Sequence, residues 1–351
     1  MLIKLLLSPF ALLYGLVVSL RLQLYRWKIL RSMAFDLPVI SVGNLSAGGT
    51  GKTPHIEYLI RLLKEHIPVG VLSRGYMRKT SGFHIVESNE TATSAGDEPL
   101  LLKKKHPDIT VAVGESRIEG IPLMLARHPE IKTILLDDAY QHLGLKPGLN
   151  ILLTEYNDPF TKDFLLPAGR LREWRSGYDR ADIIIVTKCP VELNAVEKEK
   201  MIAEIAPLPH QRIYFSYYEY GTPYAPFQQG ATLSLSRELD VFLVCGIAKT
   251  DYMTDYLVDQ VGVLKYLEFE DHHFFSNHDI GRVMAIFKNI ESSNKIILTT
   301  EKDAVRFQLH RQYIHQTKMP LFVLPIRVRF HDEDGSLFDE DIRNFLLNFK
   351  V

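Results

Sequence analysis

The chain has 351 residues, of which 46% are apolar and 24% charged; the formal net charge is -1 and there are two cysteines. That length supports a large core and two domains, and the near-neutral charge excludes a global basic field for nucleic acid. Cys189 and Cys245 lie far apart and outside any metal-ligand spacing, so a disulfide framework is not expected and a reducing compartment fits.

From the amino end, no acidic residue precedes Asp36, whereas Lys4, Arg21, Arg26, Lys28 and Arg31 do. The uncharged run LLLSPFALLYGLVVSL between Lys4 and Arg21 would reach roughly 24 Å as a helix, short of the ~30 Å hydrocarbon core. No small-x-small cleavage site directly follows Leu20, which counts against a signal peptide. The expectation is an interfacial, membrane-associated helix within residues 1–32, with its basic residues toward anionic lipid. A membrane span and a buried core helix are the competing readings.

Next come apolar runs that read as strands: Pro38–Gly43, Val69–Gly75, Ile109–Gly114, Thr133–Asp138, Asn150–Glu155 and Asp182–Lys188. They are continuous rather than alternating, so both faces should be buried. Helical segments, such as Thr53–His66 and Glu98–His106, lie between them. The pattern predicts a mostly parallel α/β sheet with helices on both faces. The Tyr-, Pro- and Gly-rich stretch from Gln211 to Leu235 reads as an antiparallel or irregular linker. Further strands are expected at Val241–Ile247, Val263–Phe269, Lys295–Thr300 and Leu321–Ile326. Residues 33–218 are thus expected to form the core, and 219–351 a smaller C-terminal α/β domain closing over the active site.

VISVGNLSAGGTGKTPHIEYLI (Val39 to Ile60) sets a glycine-rich loop between a buried strand and a helix. Such a loop binds phosphate because its backbone N–H groups converge on a helix N-terminus. Gly48, Gly49 and Gly51 supply permissive backbone, Lys52 reaches the β- and γ-phosphates, and Thr53 offers a hydroxyl to Mg²⁺. Ser46, Ala47 and Thr50 complete the candidate nucleotide-binding loop. Ser46 stands where the usual pattern has glycine. The fold class that follows is P-loop NTPase-like, with ATP and Mg²⁺ as the expected cofactors.

LLDD ends a buried strand in Asp137 and Asp138, the arrangement that holds a nucleotide's metal. Neighbours on a strand face opposite ways, so one aspartate should reach the metal and the other the second layer or the substrate. Glu98 is a further candidate metal ligand. Thr187-Lys188-Cys189-Pro190 lacks the aspartate of a guanine-reading element, and Ala47 replaces the signature lysine of ParA/MinD-like ATPases. A ParA/MinD-like membrane-switch ATPase is the alternative function, and a nucleotide sensor a second rival.

These blocks together resemble the tetraacyldisaccharide 4'-kinases, the lipid A 4'-kinases of Gram-negative bacteria. The matching stretches are VGNLSAGGTGKTP, LSRGYMRKTSG, AGDEPLLL, VGESR, LLDDAYQHL, LLPAGRLRE, DHHFF and LTTEKDAVRF, in order from about residue 39 to 307. Arg170 and Trp174 stand where the family carries proline, and Ala139-Tyr140 where Gly-Phe is commoner. The resemblance implies transfer of the ATP γ-phosphate to the 4'-hydroxyl of an acylated glucosamine disaccharide 1-phosphate at the cytoplasmic face of the inner membrane. It implies that Asp97 is the catalytic carboxylate and that His272 pairs with it; from sequence alone, Asp97 reads first as the cap of a helix beginning near Glu98. Asp271 and His273 flank His272, and a His–His pair alone is weak ground for a metal. Arg74, Arg117, Arg170, Arg172 and Gln141 are candidate substrate contacts, the arginines for their fork-shaped grip on phosphate. Lys302 and Asp303 read either as an adenine-side element or as a pair at a helix start. Oligomeric state and acyl-chain preference are not legible.

Overall fold

The computed structural model describes residues 2–228 and 230–350. Helix α1 (Leu2–Arg26) leads to strand β1 (Val39–Asn44), helix α2 (Lys52–Leu63), β2 (Val69–Ser73) and the short β3 (His84–Ile85). Helices α3 (Ala92–Ala95) and α4 (Asp97–Lys105), β4 (Thr110–Val113), α5 (Arg117–Arg127), β5 (Thr133–Asp137) and β6 (Leu149–Glu155) follow. Then come β7 (Ile183–Thr187), α6 (Ala195–Ile205) and β8 (Arg212–Tyr220). The chain continues through β9 (Asp240–Cys245), α7 (Asp251–Gln260), β10 (Leu264–Glu268), α8 (Asn277–Lys288) and β11 (Lys295–Thr300). It ends with α9 (Glu301–Phe307), α10 (Arg311–Gln316), β12 (Leu321–Leu324), β13 (Ile326–Phe330) and α11 (Asp334–Asn348).

Two sheets result. The larger has nine strands in the order β13-β8-β7-β6-β1-β5-β2-β4-β3; the smaller has four, β10-β9-β11-β12. Strands β1, β2, β5 and β7 are buried at every residue, as continuous apolar runs require when helices cover both faces. On one face Ile56, Leu59 and Ile60 of α2 pack with Leu100 of α4 and with Phe338 and Ile342 of α11. On the other, Ile121 and Met124 of α5 pack on Leu72, Ile134 and Leu136.

The structure corrects the sequence reading in two places. Residues 212–220 are not a linker, antiparallel though one of their pairings is: β8 pairs parallel with β7 on one side, antiparallel on the other, and extends the large sheet. The apolar run Leu321–Ile326 is not one strand. Pro325 has no N–H to give a ladder, and the chain leaves the small sheet there. Beyond it β13 pairs antiparallel with β8, Ile326 opposite Tyr220, so residues 326–348 complete the large sheet rather than the small one.

Helix α1 is longer than the uncharged run alone, because it continues through Arg21 to Arg26. Its Leu6, Phe10, Leu12, Leu13, Leu16, Val17 and Leu20 are each at least 59% exposed, which rules out a core helix. By length and composition, 6–26 could cross a membrane. The narrow face of Ala11, Tyr14 and Gly15 is instead turned to the protein.

Candidate active site

The phosphate loop lies between β1 and α2, as expected. Gly48 (φ 118°) and Gly51 (φ 90°) occupy backbone conformations that a side chain disfavours, and a Cβ on Gly51 would overlap the Tyr218 hydroxyl. No side chain caps α2, so its first N–H groups stay available to an anion. Ser46 is buried and bridges to Leu171, while Ala47 N donates to Arg170 O at 2.6 Å. A small residue at 46 therefore seats the loop against segment 170–172. From the other side Thr187 Oγ1 donates to Thr50 O (2.9 Å) and Lys188 Nζ to Gly49 O (2.6 Å). Lys188 thus braces the loop, a contact between residues 139 positions apart that the local Thr-Lys-Cys-Pro motif does not signal.

His55 locks the loop to the sheet. Its Nδ1 faces Gly51 O at 2.8 Å, which assigns the proton there, and Nε2 accepts from Ser216 Oγ at 3.0 Å. Burial lowers its pKa to about 4, against a partial rise from the Gly51 carbonyl. The unfolded chain therefore binds this proton near pH 6.5 while the folded chain refuses it down to about 4. Stability from this site is complete above pH 6.5 and is lost as pH falls toward 4. Between pH 7 and pH 5 the unfolding free energy is expected to drop by about 2 kcal/mol from this group. Urea titrations at the two pH values check it: a His55→Gln variant should lose that difference, and an unchanged pH dependence would refute it.

Asp137 and Asp138 part company at the end of β5. Asp138 has left the strand (φ 50°), and its carboxylate accepts from Arg172 at 2.8 and 3.1 Å, with Lys52 Nζ 3.8 Å away. Burial would raise its pKa, but Lys52 and Arg172 outweigh that and hold it well below the carboxylate range. Asp137 is 1% exposed, and neither carboxylate oxygen has a hydrogen-bond partner among the described residues. Burial, reinforced by the neighbouring Glu98 charge, pushes its pKa up to about 7. Lys52 Nζ also donates to Asn44 Oδ1 at 3.3 Å.

The second constellation is built across the two sheets. Asp97 is the first residue of α4, whose N-cap is Gly96 with no side-chain cap, so it is not the cap its sequence suggests; its Oδ1 accepts the Glu98 N–H at 3.0 Å. Its Oδ2 accepts Arg306 Nε at 3.0 Å as well as Arg306 Nη2. His272 Nδ1 stands 3.2 Å from the same oxygen, off the hydrogen-bonding direction. Lys302 Nζ lies 2.9 Å from Glu98 Oε1 and 3.2 Å from His272 Nε2. With Lys302 donating to Nε2, the ring proton sits on Nδ1, facing Asp97. Burial opposes the charged carboxylate, yet His272, Lys302 and Arg306 together keep it ionised well below the usual range.

Arg306 was not nominated from sequence. It is 1% exposed and also donates to Asp303 Oδ1 and Gly246 O, each at 2.8 Å. Asp303 thus serves the structure, bonding Thr300, Gly246 and Arg306, while Lys302 reaches the site. His273 turns away to Asp279 at 3.1 Å.

A cleft of about 490 Å³ joins these parts, lined by Gly48, Gly49, Lys52, Thr53, Glu98, Asp138, Arg172, His272 and Lys302. Arg170 is outside it, pairing with Asp158 and Asp163. Arg117 is buried and donates to Gly114 O (2.7 Å) and Asp137 O (2.9 Å), a brace for the strand ends; burial lowers its pKa to about 10. Gln141 Nε2 is taken by Asn44 O and Glu173 Oε1, both at 2.9 Å. Arg74 is exposed. His142, also unassigned from sequence, is held to a pKa of about 4 by burial and by the Arg117 and Arg74 charges.

Residues 3–346 match the family described as LpxK, tetraacyldisaccharide-1-P 4'-kinase. The chain belongs to this family. The tetraacyldisaccharide 4'-kinase of Bacteroides thetaiotaomicron is 41% identical, covering 97% of this chain and 92% of that one. That of Flavobacterium johnsoniae is 41% identical over 98% of both. A crystal structure of the "apo" form LpxK from Aquifex aeolicus in complex with ATP superposes with a TM-score of 0.74 at 28% identity, covering 98% of this chain and 99% of that one. The rival membrane-switch ATPase is set aside by these matches.

Proposed function

We propose that this chain transfers the γ-phosphate of ATP from the Lys52 loop to the 4'-hydroxyl of a tetraacyldisaccharide 1-phosphate, a lipid A precursor. The carrying observation is one cleft lined both by the phosphate loop and by Glu98, His272 and Lys302, with Asp97 directly behind. Hydrolysis-driven switching has no use for a buried carboxylate–histidine pair; a hydroxyl acceptor does.

Phosphoryl transfer needs positioning and charge stabilisation more than covalent chemistry. Lys52 and the α2 N-terminus receive the donor phosphates. Asp97 accepts the acceptor hydroxyl's hydrogen bond and takes its proton late, when the oxygen has begun to bond phosphorus. Its depressed pKa keeps it ionised throughout the neutral range, so protons do not compete for it. His272 and Arg306 hold its orientation. Arg74, exposed directly after β2, is our candidate for the substrate's phosphate; Arg117, Arg170 and Gln141 act as supports.

The residues fit Mg²⁺. The two unpartnered, buried oxygens of Asp137, beside Glu98 and Asp138, make a site that a divalent cation would neutralise. Asp137, Thr53 and Glu98 would hold it, leaving Asp138 to Arg172 and Lys52. When bound, it supplies charge neutralisation at the β- and γ-phosphate oxygens.

The exposed apolar side of α1 supports attachment to the inner face of the bacterial inner membrane. Contacts along its length, from Lys4 over Phe164 through Tyr14 to Arg26 with Asp179, keep it against the protein body and favour an in-plane helix over a span. Removal of residues 1–30 is expected to release the protein from anionic vesicles in flotation assays; unchanged binding would refute the anchor. For the reaction, labelled γ-phosphate from ATP is followed into purified tetraacyldisaccharide 1-phosphate in detergent. Wild type should form labelled lipid and Lys52→Ala should lose at least tenfold; no lipid product from wild type sinks the reading.

A further inference from the structure

Helix α1 does more than face lipid: it is seated in a built groove. Gly15 is buried, and a Cβ there would lie 2.5 Å from Trp174 Cζ2 and 2.8 Å from Leu165 Cδ1. Trp174 Nε1 points into the helix, 2.8 Å from Ser19 Oγ and 3.2 Å from Gly15 O. Tyr14 OH donates to Arg172 O at 2.8 Å. The glycine and the tryptophan are therefore fitted to each other.

The segment that receives the helix also holds the phosphate loop. Arg172 N donates to Leu45 O at 2.8 Å, and its guanidinium bonds Asn44 O at 2.9 Å, Asn44 Oδ1 and the Asp138 carboxylate. Asn44 Oδ1 in turn holds Lys52 Nζ. One backbone carbonyl thus separates the α1 contact from the network around Lys52.

We propose that Trp174, with Tyr14 and Gly15, is a positioning residue for the nucleotide site, acting through Arg172. With the helix seated, Arg172 takes up most of the Asp138 charge and fixes Asn44, so Lys52 is held by Asn44 Oδ1 at 3.3 Å and only loosely by Asp138 at 3.8 Å, poised to meet phosphate. With the seat lost, Arg172 loosens, and Asp138, already 3.8 Å from Lys52 Nζ, pairs with the lysine and presents negative charge to the incoming phosphates. The membrane helix and the ATP loop are then one mechanical unit. This inference rests on the reading of the cleft as the ATP site.

A double-mutant cycle tests it on the full-length protein in detergent, where bilayer attachment plays no part. The probe is a fluorescent non-hydrolysable ATP analogue with Mg²⁺, alongside phosphoryl transfer to the lipid acceptor. Trp174→Ala is expected to weaken nucleotide affinity about fivefold or more. In an Arg172→Ala background the same substitution should change it less than twofold, because the residue it acts through is gone. Gly15→Ala is read the same way should Trp174→Ala fail to fold. An unchanged affinity in the single variants, or an equal loss in both backgrounds, overturns the inference while leaving a wild type that binds and transfers intact. A wild type that does not bind the nucleotide overturns both readings.

Discussion

Asp97→Asn is expected to lower kcat by about 10²–10⁴, the contribution of a positioned general base. The amide keeps the size and some of the hydrogen bonding to Arg306, but it cannot take the hydroxyl proton. KM for ATP should stay within about twofold, because Asp97 makes no contact with the phosphate loop and the lost interaction belongs to the transition state. Single-turnover transfer with saturating lipid separates the two parameters. A kcat within tenfold of wild type would remove Asp97 from the reaction and leave the helix-start bond to Glu98 as its role.

Arg306→Ala should have the largest effect on stability, about 3–5 kcal/mol, the usual result of removing one partner from a buried ionic network. Asp97 (4% exposed) and Asp303 (0% exposed) would both lose their guanidinium, and Gly246 O would lose a donor. The pH profile should change with it. Because the folded pKa of Asp97 lies below its unfolded value, the carboxylate's stabilisation is fully present above about pH 4 and is lost as pH falls further. Without Arg306 that acid-sensitive portion shrinks. Urea unfolding at pH 7 and at about pH 2.5 measures both, since the acid-sensitive portion lies below the unfolded carboxylate range; a cost under 1 kcal/mol at pH 7 would show that the network is dispensable.

Local motifs were the legible part. The glycine-rich loop carries its pattern in adjacent residues, so its glycines, Lys52 and the buried strand before them point to a turn between β1 and α2, which is where they lie. Asp97 with His272 came from the family resemblance, since 175 positions separate residues that meet only across the two sheets. Arg306 was missed because its partner lies 209 positions away. The available signal was an arginine set among Ala304, Val305 and Phe307, all buried, in a segment that gives a cation no solvent-facing side. Strand alternation separates Asp137 from Asp138 but does not say which is which; that follows from the positive φ of Asp138, which takes it out of the strand and hands it to Arg172. The assignment of 326–348 to the smaller part failed for a related reason: antiparallel pairing with β8 is a non-local choice, and only Pro325 hinted at a break.

That return strand has a mechanical consequence. The chain leaves the large sheet after Tyr220 and re-enters it at Ile326, and these two residues are register partners, with Gly221 N bonded to Pro325 O at 2.9 Å. Both crossings are thus side by side, a two-ply hinge along one edge, with Leu324 and Ile326 flooring the cleft. Any opening would swing about that single line, like a book about its spine. The ionic contacts of α4 with α9 and His272 would be the clasp on the fore-edge, parted whenever the pages separate.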